Sequence, residues 1–312
     1  MSDKRATREA FGATLVELAH AGRDDVVALD ADLSKSTTTA KFASAYPERF
    51  FNVGIAEQNM VGTAAGLALA GKTAFTGSFA VFATGRAYDQ IRNTVCYSGL
   101  NVKLCPTHSG ITVGPDGGSH QMLEDIALMR VLPGMRVVVP ADFNAARAAI
   151  RCAASTPGPF YIRLGRATLP AIHGEDFVFE LGRAYVLREG VDVTLAACGV
   201  MVERALAAVD LLAAEGLSAE VIDVMSVKPL DEETLLASAA KTGAVVTCEE
   251  HEVACGVGSA IAEMLGERLP TRVARIGIRD TFGTSGEPEE LMVHYGLTAT
   301  DVADAARGLV RG

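Results

Sequence analysis

"IAEQNMVGTAAGLALAGKTAFTGSF", Ile55 to Phe79, holds both halves of the pattern that sets the fold. Up to Gly71 it is a long run of alanine, glycine, leucine and valine with helical character, and from Lys72 it turns into a short strand-like run. One carboxylate, Glu57, stands at the head of the helical part. A helix N-terminus stabilises an acid through its macrodipole alone, so this stretch by itself leaves Glu57 open between a helix-end charge and a chemical group.

Working outward, the same alternation continues on both sides. "ATREAFGATLVELAHAG" reads as a helix and "VVALD" as a strand before it; "ATGRAYDQIRNTVCYSG" reads as a helix, "NVKLCPTH" as extended, "MLEDIALMRVLP" as a helix and "MRVVVPA" as extended after it. Such alternation predicts an α/β fold, a mostly parallel sheet with helices on both faces. After the strand-like "PFYIRLGR" comes "ATLPAIHGEDFVFELGRAYVLREG", which has proline, glycine and charge but no helical period. The predicted boundary falls there: a first domain over residues 1–168, a linker over 169–182, and a smaller α/β domain over 183–312. The second domain reads "DVTLAACG", "MVERALAAVDLLAAEG", "SAEVIDVMSV", "DEETLLASAAKTG", "AVVTCEEH", "GVGSAIAEMLGERL" and "TRVARIGI".

Composition excludes several classes. With 49% hydrophobic and 21% charged residues in 312, the chain is a folding sequence, not a disordered one. Its longest apolar stretch, near Met60 to Ala70, is too short to cross a bilayer. Net charge is −10 with scattered lysines and arginines, which offers no basic stripe to nucleic acid. The start, "MSDKRATREAFGATLVELAH", lacks the continuous apolar core of a secretory signal, so a cytoplasmic protein is expected. Six dispersed cysteines without a CxxC pair read as buried reduced thiols in preference to a metal site or disulfides.

Three stretches could carry chemistry. "PTHSGITVGPDGGSHQMLED", Pro106 to Asp125, follows a predicted strand and packs His108, Asp116, His120 and four glycines into one loop. Ligands in open α/β sheets bind beyond the carboxyl ends of strands, so these residues are well placed; a turn-rich loop satisfying its own backbone is the alternative. The two histidines are too far apart in sequence to make a strong metal pattern. In "GSFAVFATGRAYDQ", Phe79 and Phe82 share one helical face, which ordinary core packing would also explain. "CGVGSAI", Cys255 to Ile261, lacks the third glycine of a dinucleotide turn and reads as a tight strand-to-helix connection. His251 reads as an interface or core residue just past a strand.

Together, "NVGIAEQNMVGTAAGLALAG", "GSFAVFATGRAYDQIRN", "THSGITVGPDGGSHQMLEDIALMR" and "AVVTCEEHEVACGVGSAIAEML" resemble the C-terminal half of transketolase, a pyrimidine-binding domain followed by the transketolase C-terminal domain. Deoxyxylulose-phosphate synthase and the β subunits of 2-oxoacid dehydrogenases share this architecture; the "GPDGGSHQ" loop leans toward transketolase. The resemblance implies that Glu57 hydrogen-bonds the aminopyrimidine of thiamine diphosphate, sharing a proton that favours its imino form. It implies cofactor contacts from Ile55, Phe79 and Phe82 as well, and a catalytic part for His120 beside Glu57. Asp116 and His120 would recognise donor hydroxyls, and Ser36, His108 and Arg166 the phosphate of a sugar phosphate, with Arg163 a further substrate candidate from "YIRLGR". The family holds the diphosphate through Mg²⁺ or Ca²⁺ on a GDG motif and a later asparagine. No GDG occurs here, and "PDGG" at Pro115 sits in the substrate loop. The resemblance therefore implies no metal ligand in this chain, an N-terminal partner subunit carrying the diphosphate-binding domain, an α₂β₂ assembly, and transfer of a ketol unit between sugars. The second domain is expected to serve dimerisation.

Overall fold

The computed structural model describes residues 4–311; residues 1–3 and 312, the outer ends of the two predicted domains, lie outside the described residues. Six strands of the first domain pair in parallel, in the order Arg136–Val138, Phe160–Ile162, Val102–Leu104, Thr73–Gly77, Val26–Asp30, Phe50–Asn52. Val26–Asp30 is buried at every position, as a parallel strand covered on both faces must be. Helices Thr7–His20 and Phe143–Ser155 cover one face through Phe11, Leu15, Ala149 and Ile150. The Asp142 carboxylate starts the second of these by accepting the Ala145 N–H at 2.7 Å. Helix Glu57–Leu69 covers the other face through Met60, Val61, Ala64 and Ala65.

The strand order sets the position of the site. From Val26–Asp30 the chain steps outward to Phe50–Asn52 and then returns to build the rest of the sheet on the opposite side. The crevice beyond the carboxyl ends of Val26–Asp30 and Thr73–Gly77 is a topological switch point, where open α/β sheets bind ligands.

The second domain has parallel strands Arg272–Ile278, Ala244–Glu252, Val193–Ala197 and Ala219–Asp223, with Tyr185–Arg188 antiparallel at one edge. Helices Met201–Ala213 and Ala299–Arg311 lie on one face; Glu232–Thr242 and Val257–Arg268 lie on the other and share an apolar cluster with Met129 and Leu132 of the first domain.

Two segments differ from the sequence reading. "SAEVIDVMSV" is two strands, because the chain leaves the second sheet after Asp223 and Ser226–Lys228 adds antiparallel to Arg136–Val138. Every residue from Ala219 to Val227 is buried, so the apolar pattern carries no mark of the change of partner. "ATGRAYDQIRNTVCYSG" forms two π-helical segments, Val81–Arg86 and Gln90–Cys96, in place of one α-helix. The linker is tied down: Asp142 Oδ2 accepts the Ile172 and His173 amides at 2.5 and 2.7 Å, and His173 Nε2 lies 2.8 Å from Asp223.

Candidate active site

Glu57 is the first residue of its helix. Gly54, at φ +72°, turns the chain out of strand Phe50–Asn52, and Ile55 projects into solvent at 77% exposure. The Glu57 carboxyl points inward, only 4% exposed, and accepts a hydrogen bond from Arg86 Nη1 at 3.0 Å. Arg86 and Phe82 are four residues apart on the π-helical segment, and the guanidinium lies 4.2 Å above the Phe82 ring. Phe82 is nearly parallel to Phe79, with centroids 5.9 Å apart.

Phe79 extends its strand by one more pairing, to Thr107, which brings the next loop alongside. His108 stacks on Phe79 at 3.7 Å, and His120 meets Phe82 edge-on at 5.4 Å. Glu57, Phe79, Phe82, His108 and His120 thus line one continuous shelf. Arg8 Nη1 donates to the Ser36 carbonyl at 2.9 Å and lies 3.3 Å from His108 Nε2. Arginine only donates, so Nε2 accepts, and the His108 proton sits on Nδ1, 2.8 Å from Thr107 Oγ1. Burial, with the charges of Arg8 and Arg166, pushes the His108 imidazole down to about 3, so it is neutral at ordinary pH. Arg166 Nη1 donates to the Val113 carbonyl at 2.5 Å and stands 3.7 Å from Asp116.

The structure thus brings together Ser36, Glu57, Phe79, Phe82, His108, Asp116, His120 and Arg166, with Ile55 at the outer rim. Arg163 is a correction. It is buried, with Nε bonded to Asp125 Oδ2 at 2.8 Å and Nη2 to the Met122 and Glu250 carbonyls at 3.1 and 3.0 Å. Its Nε and Nη2 donors are taken up at the domain junction, away from the Phe79–Phe82 shelf. Burial opposes ionisation of Asp125, but the Arg163 guanidinium outweighs it and holds the carboxyl below the usual carboxylate range. Arg8 is the cation that sequence reading missed. It is half-buried near the start of the first helix, with its Nε buried and unpartnered, and the sequence alone carries no mark of its remote partners Ser36 and His108.

The second domain also reaches the site. Strand Ala244–Glu252 runs past the predicted end of "AVVTCEEH", so His251 lies inside it, not beyond it. Burial pushes its imidazole down to about 4, and its Nε2 accepts the Ala127 N–H at 3.3 Å. Glu250 Oε1 accepts the Thr112 N–H of the substrate loop at 2.5 Å. A cavity of about 740 Å³, lined by Leu128, Val131, Val227 and Leu230, lies elsewhere in the domain junction and contains none of the shelf residues. The shelf is open on its outer side, as one wall of a larger site would be. Among the described residues, no three His, Cys, Asp or Glu side chains form a metal cluster, and no helix is long and apolar enough to cross a membrane.

Residues 3–171 match the family described as transketolase, pyrimidine binding domain, and residues 182–302 the transketolase C-terminal domain. The chain belongs to the transketolase family. It is 46% identical to a putative transketolase C-terminal section of Methanocaldococcus jannaschii, over 96% of this chain and 94% of that one. It is 48% identical to a 6-deoxy-6-sulfo-D-fructose transketolase subunit of a Clostridium species, over 93% and 90%. A solved split-gene transketolase, described as an inactive β4 tetramer, superposes with TM-score 0.90 at 52% identity over 98% of both chains. These transketolase C-terminal chains are matched nearly end to end.

Proposed function

We propose that this chain is the C-terminal subunit of a two-chain transketolase and moves a two-carbon ketol unit from a ketose to an aldose. The observation that carries the reading is the buried Glu57 carboxyl facing the Phe79–Phe82 shelf. Arg86 tests the fit to thiamine diphosphate. Its guanidinium is a planar cationic donor, and it lies over Phe82 while bonding Glu57. A flat ring bearing a protonatable nitrogen would make the same two contacts, and Arg86 would swing outward to admit it.

Thiamine diphosphate, when bound, supplies the centre that stabilises a carbanion. This chain's own residues do the rest from one side. Glu57 would place its carboxyl oxygen against the pyrimidine edge to share a proton with it. Phe79 and Phe82 give the ring a face. Asp116 and His120 orient the donor hydroxyls; Arg8, Ser36 and Arg166 receive an anionic group, to which two guanidiniums offer forked donors, and His108, whose Nε2 accepts from Arg8, holds that guanidinium in place. Phosphate fits that chemistry, and so does the sulfonate named for the Clostridium relative. The diphosphate, its Mg²⁺ or Ca²⁺ and the opposite wall belong to an N-terminal subunit in an α₂β₂ assembly. The open shelf supports this, as does the inactivity ascribed to the solved β4 relative.

The test is turnover by the chain assembled with its N-terminal subunit, thiamine diphosphate and Mg²⁺. Xylulose 5-phosphate with ribose 5-phosphate should give ketol transfer, and pyruvate with lipoamide should give none. The reverse result would overturn the reading.

A further inference from the structure

Glu250 lies in the second domain, outside the catalytic shelf, yet its carboxyl is spent on the substrate loop. The side chain is 5% exposed, and Oε1 accepts the Thr112 N–H at 2.5 Å. Gly110, at φ +81°, passes so close that a β-carbon there would run into the Glu250 carboxyl. The Gly110 amide also donates to the Met122 carbonyl at 2.9 Å, closing the loop's neck. Arg163 then bridges Met122 O and Glu250 O from behind.

Further out, Gln121 Nε2 donates to Ile111 O at 3.1 Å and to Thr284 O at 2.9 Å. Gly118 lies against the Gly283 carbonyl with no room for a β-carbon. The residues this frame carries are Asp116 and His120. A leucine would fill the space of Glu250 more cheaply, since burying a carboxyl costs desolvation. What only an acceptor provides is a partner for the Thr112 N–H, which would otherwise be a buried orphan.

We propose that Glu250 is a positioning residue for the ketose donor: by fixing the Thr112 amide it sets the register at which Asp116 and His120 meet the donor hydroxyls. This rests on the functional reading above. It also gives the C-terminal domain a part in substrate recognition beyond association.

The test compares Glu250→Ala and Glu250→Gln in the chain assembled with its N-terminal subunit. Glu250→Ala should raise the ketose KM about tenfold, the scale of one lost hydrogen bond to a charged group, while acceptor KM and thiamine diphosphate affinity stay within twofold. Glu250→Gln, which keeps an acceptor oxygen at the same reach, should recover most of the loss. Should Glu250→Ala not fold, Glu250→Asp, which withdraws the acceptor by one methylene, takes its place. Hydrogen exchange on the isolated chain is the second readout: the Thr112 amide should exchange faster in Ala and Asp but not in Gln, with strand Val26–Asp30 unchanged.

An unchanged ketose KM, equal losses for donor, acceptor and cofactor, or a Thr112 amide that stays protected would each overturn the proposal. A wild-type complex inactive on every ketose would instead remove the functional reading, and the exchange result would still decide the clamp.

Discussion

Glu57 and Glu250 are both buried carboxyls within reach of the same shelf, at 4% and 5% exposure, yet they are satisfied in opposite ways. Glu250 accepts a backbone amide, with Gly110 packed against its carboxyl and the buried Arg163 behind; burial pushes its carboxyl up, against the Arg163 charge. Glu57 is met by one guanidinium that is 51% exposed, beside Ile55 and Phe51, which stand out to solvent. The back of the site is finished by this chain, and the front is left for another surface.

The front side should give the largest effect. Glu57→Gln keeps the shape but cannot exchange the proton asked of it, so turnover of the assembled enzyme should fall by ~100-fold or more with the fold intact. Retained activity in steady-state assays would return Glu57 to a helix-end charge. Next comes the anion pocket between front and back. Arg166→Ala should lower kcat/KM about 10- to 150-fold for phosphorylated sugars, equivalent to about 1.5–3 kcal/mol, and much less for unphosphorylated ones. Equal losses on both would point to a collapsed loop.

The back can be probed by acid. His251 has its native pKa near 4, below the unfolded 6.5, so its contribution is complete above pH 6.5 and is lost as pH falls toward 4. The slope for one proton is at most ~1.4 kcal/mol per pH unit. His251→Gln does not titrate, and the difference between the two proteins in urea unfolding of the isolated chain should shrink on acidification. Glu249, pushed up to about 7 by burial, lies 3.8 Å from His251 Nδ1, so both proteins are compared in a Glu249→Gln background, where it does not titrate. A difference independent of pH would show that His251 is not held neutral by the junction. The smallest effect returns to the front: Phe82→Leu should weaken cofactor binding by about 0.5–1.5 kcal/mol, the scale of an aromatic contact, as measured by calorimetry on the assembled enzyme.

The front of the candidate site was legible only through the resemblance, its parts being local but equally explained by a helix-end charge and core packing. Glu57 follows a turn and opens a helix, and Phe79 and Phe82 sit one turn apart just after a strand. The back was not, because it joins residues far apart in the chain: Thr112 with Glu250, Gln121 with Thr284, Arg163 with Asp125. Arg163 and Arg166 lie in one extended segment, and nothing in "YIRLGR" tells which of them turns inward. Arg8 was hidden for the same reason, since its partners Ser36 and His108 come from two other strand ends. The alternation that revealed two α/β layers likewise could not show Ser226–Lys228 crossing to the first sheet, because that run is apolar and buried on both sides of the crossing.

The claim that this chain forms one wall of a shared site is tested most directly by titrating thiamine diphosphate with Mg²⁺ into the isolated chain by calorimetry, and again after adding the N-terminal subunit. The account predicts negligible binding and no ketol transfer for the chain alone, with both appearing together once the partner is present. Tight, metal-dependent binding by the isolated chain would contradict it.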